Sequence, residues 1–269
     1  SFAWTIIKDP FIKLTIRQMP PLITIGIPCY NEGQRVVDAI CHNIEAITHT
    51  GHSYEIVVVD DCSRDNSAEL VQQLAAAHPE WPITLKVNDR NRGLAYNFVE
   101  CALIGKGTYY RMSCGDDPQP VEALYDVFKH LGTCDLVIPF MTDYGPRGWK
   151  RNLISRTFTT IVNLISGYRI LYYNGSPIYH RNHVLRWHPS SYGFGYSADM
   201  ITRLLDYEGL TFTQIPTWSD EKKGKGSTSM TLRNLLSVTH SLLEIVFRRL
   251  RRSFYGRESA PPREIFLTK

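Results

Sequence analysis

Leu22-Ile23-Thr24-Ile25-Gly26-Ile27-Pro28-Cys29-Tyr30-Asn31-Glu32-Gly33 is the stretch on which the fold of this 269-residue chain turns. Leu22 to Ile27 is an apolar, β-branched run, the signature of a strand buried on both faces. Pro28 to Gly33 reads as a turn. Gln34 to Thr48 then carries Val36, Val37, Ile40, Ile44 and Ile47 at helical spacing. The same alternation continues downstream. Strands are expected at Glu55–Val59, Ile83–Val87, Tyr109–Met112 and Asp135–Pro139, with helices at Ser67–Ala77, from Gly93, and at Val121–His130. Alternation at this spacing predicts an α/β domain with a mostly parallel sheet covered by helices.

Ligands of such sheets bind beyond the carboxyl ends of the strands. Here those ends carry Pro28-Cys29-Tyr30-Asn31-Glu32, Asp60-Asp61 and Gly115-Asp116-Asp117, so acidic and polar residues converge on one edge. Paired carboxylates suit a hard divalent cation, Mg²⁺ or Mn²⁺, and Asp116 and Asp117 are the candidate metal ligands. A cation there would bridge a diphosphate and neutralise charge on a leaving phosphate. Asp60, at the end of its own strand, can accept hydrogen bonds from a ribose or a base. The first strand is followed by Pro-Cys-Tyr-Asn-Glu-Gly rather than Gly-x-Gly-x-x-Gly, and no P-loop sequence occurs, which speaks against a nicotinamide enzyme or a Walker-type NTPase.

In this order the pieces resemble the family 2 glycosyltransferases of the GT-A fold, within them the dolichyl/polyprenyl-phosphate sugar synthase branch. The similarity rests on Ile25–Glu32, Glu55–Ser63 with Asp65, Asn91-Arg92-Gly93, Gly115-Asp116-Asp117 with Pro120, and Arg151 with Ser155-Arg156, and runs from about residue 22 to 230. It implies an inverting enzyme that moves a sugar from a UDP- or GDP-sugar to a glycan hydroxyl or a lipid-linked phosphate. By the same resemblance Pro28, Tyr30, Glu32 and Asp60 hold base and ribose, with Asp61 an adjacent contributor. Asn91, Arg92 and Gly93 lie under nucleotide and donor sugar. Asp116 is the second acid of the Asp-x-Asp metal motif, and Asp199 is the general base or acceptor guide. Two departures stand out. Cys114 occupies the place of the first metal acid, and the acceptor stretch Asp-x-x-Ser-Gly-Phe-Arg is replaced by Tyr172-Tyr173-Asn174-Gly175-Ser176-Pro177-Ile178. They motivate an alternative, a catalytically degenerate binding module of the same fold. A sugar nucleotidyltransferase is a more distant alternative, since no Gly-rich phosphate loop follows the first strand.

A physical distinction separates the two acceptors. A sugar hydroxyl holds its proton far above pH 7 and needs a base, whereas a lipid phosphate is already an anionic nucleophile and needs cations. The sequence offers both, as Asp199 and as a basic loop with Lys222, Lys223 and Lys225 that can also close over the donor diphosphate.

Composition sets the remaining bounds. The net charge of +4 is unevenly placed, with the three lysines just named and Arg248, Arg249, Arg251 and Arg252 all in the last fifth of the chain. No aromatic-basic interleaving supports a nucleic-acid partner. Six scattered cysteines without a Cys-x-x-Cys pair argue against zinc or dithiol chemistry. With no secretory signal visible and no apolar run of about 18 residues, the expected location is cytoplasmic, peripheral on the cytoplasmic face of a membrane. His180, His183 and His188 are read as surface or satisfied histidines, and Trp149, Trp187, Trp218 and Tyr196 as packing residues or sugar platforms.

The resulting organisation is an N-terminal extension (1–21), a catalytic domain (22–218) whose nucleotide-sugar half ends near 140 and whose acceptor half is 141–218, and a C-terminal segment (219–269). That segment joins a polar loop, expected to be mobile, to an amphipathic helix. Leu232, Leu235, Leu236, Thr239, Leu243, Val246 and Leu250 trace one face of the helix, followed by the arginines. The face can pack on the domain, and the arginines can meet the headgroups of an anionic bilayer.

Overall fold

The computed structural model describes residues 21–115, 119–143, 149–187, 195–207, 209–218, 232–256 and 260–266. The first half alternates as expected: β1 (Ile23–Cys29), α1 (Gln34–Thr50), β2 (Tyr54–Asp60), α2 (Ser67–Ala77), β3 (Ile83–Val87), α3 (Leu94–Ile104), β4 (Tyr109–Met112) and α4 (Val121–Phe128). The second half holds β5 (Leu136–Asp143), α5 (Trp149–Ser166), β6 (Ile178–His180), α6 (Arg181–Trp187), α7 (Tyr196–Tyr207), β7 (Thr211–Trp218), α8 (Leu232–Tyr255) and β8 (Arg263–Glu264).

These strands form one eight-stranded sheet in the order β3-β2-β1-β4-β6-β5-β7-β8. All pairings are parallel except those of β6, which runs antiparallel to both β4 and β5. Every residue of β1 is buried, because helices cover both faces of the sheet and leave a central strand no solvent side. One core lies under α1, α2 and α4, where Ile25, Ile40, Ile44, Val71, Leu124 and Phe128 meet. The other lies under α3, α7 and α8, built from Phe98, Tyr110, Tyr179, Ile201, Leu204 and Ile245.

Besides the seven-residue α6, which the sequence does not predict, three elements depart from the sequence expectation. β6 and β8 are three and two residues long, too short for a periodicity to register, and take their place from pairing with longer neighbours. The third departure is the orientation of α8. Its inward stripe is Ser241, Ile245, Arg248 and Arg252, at i, i+4, i+7 and i+11, while Leu236, Leu243, Phe247, Leu250 and Phe254 face outward. Leu236, Leu243 and Leu250 of the expected apolar face therefore do not pack on the domain, and Arg248 and Arg252 do not face outward. Among the described residues no helix is long and apolar enough to cross a membrane.

Candidate functional site

The parallel register between β1 and β2 sets Cys29 beside Asp60 at the carboxyl edge. Asp60 is 1% exposed. Its Oδ1 accepts the Cys29 thiol at 3.4 Å, and its Oδ2 accepts the Ser63 N–H at 2.9 Å. Burial, and then the Asp60 charge, push the Cys29 thiol well above its ordinary range, so it stays protonated and donates.

Asp61 is engaged differently. Its Oδ1 accepts the Asn88 side-chain amide at 2.9 Å and the Arg92 N–H at 2.8 Å, and its Oδ2 accepts the Gly93 N–H at 2.8 Å. The carboxylate thus satisfies the backbone donors of the turn that leads into α3. Gly93 has φ +87° and ψ 163°, a backbone region open essentially to glycine alone. The geometry makes Asp61 a brace for the Asn91–Gly93 turn. The Arg92 guanidinium lies 4.9 Å from the Tyr96 ring centroid and bonds Asp89 at 2.8 Å.

The turn after β1 is stitched to the turn after β2. The Asn31 N–H donates to Ser63 Oγ at 2.9 Å, and Asn31 Oδ1 accepts the Arg64 N–H at 2.7 Å. Ser67 Oγ accepts the Glu32 and Gly33 N–H groups at 3.0 and 2.9 Å, while its own hydroxyl donates to Asp65. The two loops form one rim. On it Tyr30 is 40% exposed and Glu32 lies 3.8 Å from Arg35.

Beyond β4, the Ser113 N–H bonds Gly26 O at 2.8 Å and its hydroxyl accepts Asn43 Nδ2 at 2.9 Å. Gly115 comes so close to β1 that a Cβ would sit 3.0 Å from Pro28 O, which brings the chain to the rim just before Asp116. Asp116 and Asp117 lie outside the described residues, as do Lys222, Lys223 and Lys225 of the basic loop. Among the described residues no group of three or more His, Cys, Asp or Glu is arranged to hold a metal ion. His188 also lies outside them. The His180 and His183 rings approach to 5.3 Å, and Tyr196 is a core residue packed on Phe98.

Two features escaped sequence reasoning. Arg111 is fully buried in β4, donating to Ser176 O at 3.1 Å and Gln119 Oε1 at 2.7 Å above the Phe128 ring. Its Nη1 has no hydrogen-bond partner, and burial pulls its pKa down to about 10. It ties the chain entering α4 to the 174–177 turn. The only signal was an arginine inside a four-residue strand.

The second feature surrounds Asp199. Tyr196, one turn earlier on α7, reaches the Met112 sulfur of β4 at 3.5 Å, which fixes the start of α7 against the end of β4. Asp199 is itself 1% exposed. Arg248 of α8 donates to its Oδ1 at 2.7 Å and Arg203 to its Oδ2 at 3.0 Å. Arg248 also donates to Asp206 at 2.8 Å and to Thr202 Oγ1 at 2.6 Å. Asp206, fully buried, is further bonded by Arg252 and by the Tyr168 hydroxyl at 2.8 Å. Neither oxygen of Asp199 is left without a guanidinium.

With a strand-edge rim, a braced Asn-Arg-Gly turn and a buried acid beyond them, comparison with known proteins becomes informative. The family model described as glycosyl transferase family 2 matches residues 24–193, from β1 to just before α7. The chain belongs to that family. This family 2 glycosyltransferase is similar to the undecaprenyl-phosphate 4-deoxy-4-formamido-L-arabinose transferase of Pseudomonas savastanoi, 42% identical over 71 residues. It is 37% identical over 71 residues to the protein of that name from Shewanella sediminis. Each match covers 26% of this chain and 21% of the relative, so the chain spans about a fifth of the length of these curated relatives.

Among solved structures, it is similar to the mannosyltransferase PcManGT of Pyrobaculum calidifontis in complex with GDP-Man and Mn²⁺. The identity is 16% and the TM-score 0.57, over 89% of this chain and 77% of that one. Similar too is glucosyl-3-phosphoglycerate synthase of Mycobacterium tuberculosis in complex with phosphoglyceric acid, with 15% identity and TM-score 0.62 over 84% and 80% of the chains. At these identities the likeness establishes the GT-A-like fold of this family 2 glycosyltransferase.

Proposed function

We propose that this glycosyltransferase moves a sugar from a UDP- or GDP-sugar to a lipid-linked phosphate. The donor half of this reading is carried by one observation: Asp60, the stitched 28–33 rim and the Asn91–Gly93 turn stand together at one sheet edge. Pro28, Tyr30, Glu32 and Asp60 would take the nucleoside, with the exposed Tyr30 ring offering a face to the base. Asn91, Arg92 and Gly93 would back the donor, with Asp61 bracing them. Asp116 and Asp117 are proposed to hold a divalent cation, which when bound supplies positive charge against the leaving diphosphate. Lys222 and Lys223 are proposed to add countercharge to anionic groups of donor or acceptor.

For the acceptor, the engagement of both Asp199 oxygens favours a nucleophile that brings its own charge. A phosphate oxygen would form the new bond to the anomeric carbon as the bond to the nucleoside diphosphate breaks, with inversion and no proton to remove. Asp199 would then guide the acceptor side by holding α7 against α8. The other reading, Asp199 as base toward a glycan hydroxyl, follows from its place at the start of α7 near the end of β4.

A donor panel assayed for free nucleotide, with polyprenyl phosphate or glycan as acceptor, separates the two. On the phosphate reading Asp199→Asn keeps turnover within about tenfold. Loss of a general base would instead lower it by about 10² to 10⁴. A donor panel without turnover on any acceptor would favour the degenerate binding module.

A further inference from the structure

The outward face of α8 is the largest feature that the donor and acceptor sites leave unused. Leu236, Leu243, Phe247, Leu250 and Phe254 fall on one helical stripe and all are exposed, Phe247 at 64% and Phe254 at 83%. Their side is opposite Ile245 and Arg248, which hold the helix on the domain. Beside α8 packs α5, and the Arg249 guanidinium of α8 covers Gly167 just past the end of α5. Three residues before that glycine, Leu164 is 84% exposed. Of sixteen exposed large apolar side chains among the described residues, eleven lie between 153 and 171 or between 236 and 255. The clustering marks a surface with a partner rather than scattered exposure.

Charge selects the partner. α5 and α8 together contain eight lysines and arginines and a single acid, Glu244. The side chains of Arg248 and Arg252 are buried against Asp199 and Asp206; Arg249 reaches Asp206 at 3.9 Å with its side chain still 38% exposed, and Arg251 is exposed at the phenylalanine end. A two-fold contact with a second copy would set this cationic face against itself. An anionic bilayer instead accepts the aromatic stripe at its acyl boundary and the arginines among its headgroups.

We propose that the α5–α8 face docks flat on an anionic lipid bilayer. The inference deepens the lipid-linked phosphate reading: α8 presents this stripe to the membrane on one side and holds Asp199 through Arg248 on the other. A lipid-borne acceptor would thus meet the enzyme on the side where α7 and α8 meet.

The test is flotation of the full chain with vesicles of phosphatidylcholine alone or with added phosphatidylglycerol, for wild type and for Phe247→Asp with Phe254→Asp. Both substitutions are on the outward stripe, so circular dichroism and melting should stay those of the wild type. The expected result is flotation with phosphatidylglycerol, weakened by salt, and reduced at least about tenfold by the double substitution. Wild type left unbound at every composition would overturn the proposal. So would a dimer in light scattering that the double substitution converts to monomer. Flotation measures no turnover, so a failed surface with intact transfer to polyprenyl phosphate leaves the acceptor reading standing, and the reverse outcome leaves the surface standing.

Discussion

The donor edge and the α7–α8 seam both fix buried aspartates, and they do so by opposite means. Asp61 is held by one side-chain amide and two backbone N–H groups, all within about thirty residues, and none of its partners carries a charge of its own into the bond. Asp199 and Asp206 are held by guanidinium groups, the decisive one arriving from Arg248 more than forty residues away. Neutral donors fix the shape of a loop and leave its surroundings free for a ligand. Charged donors also neutralise the acid, and they make its environment depend on whether a distant helix is seated. The donor edge is therefore a site built to stay put, and the seam is one whose state follows the position of α8.

Substitution at the seam should have the larger effect. Arg248→Ala removes the guanidinium that two buried carboxylates share, leaving Asp199 to Arg203 and Asp206 to Arg252 and Tyr168, and should lower unfolding free energy by about 3 kcal/mol, read by urea denaturation. Arg248→Lys should recover only part of this, since an ammonium cannot reach Asp199, Asp206 and Thr202 in the fork that the guanidinium uses. If both variants melt like the wild type, the seam is not held by charge.

On the donor edge, Asp61→Ala should cost about 2 to 3 kcal/mol, because the Arg92 and Gly93 N–H groups lose their acceptors. It should also weaken nucleotide binding, measured by calorimetry, through the loosened turn. Gly93→Ala should follow at about 1 to 3 kcal/mol, as alanine is strained at φ +87°. A mutant protein with unchanged stability in either case would mean that the turn is not braced as described.

A smaller effect concerns Cys29. Its raised pKa means that the folded chain keeps a proton the unfolded chain releases above its ordinary pKa. The stabilisation is complete below that value and is lost as pH rises through it. Stability should therefore sag above about pH 9. In Cys29→Ala the sag should be shallower.

The same contrast explains what the sequence made legible. β1 to β4 and the edge residues Asp60, Asp61 and Gly93 could be placed because each is set by local periodicity and by strand ends. The distinct duties of Asp60 and Asp61 could not, since adjacent identical residues separate only once Asn88 and the Arg92-Gly93 backbone close around one of them. Arg248 was legible as a charge but not as a direction. An amphipathic stripe predicts an apolar side facing inward, and here two buried acids of α7, Asp199 and Asp206, outcompeted the leucines for the domain side of α8. Asp116, Asp117, Lys222 and Lys223, read from sequence as metal and phosphate contacts, rest on that reading.

The central claim is a nucleoside-diphosphate site at the ends of β1 and β2, and calorimetric titration of UDP and GDP into wild type and Asp60→Ala tests it most directly. One of the two nucleotides should bind the wild type, and Asp60→Ala should weaken it at least about tenfold, the loss of a hydrogen bond to a charged group, while still folding. Equal binding by the variant, or no binding of either nucleotide to the folded wild type, would contradict the account.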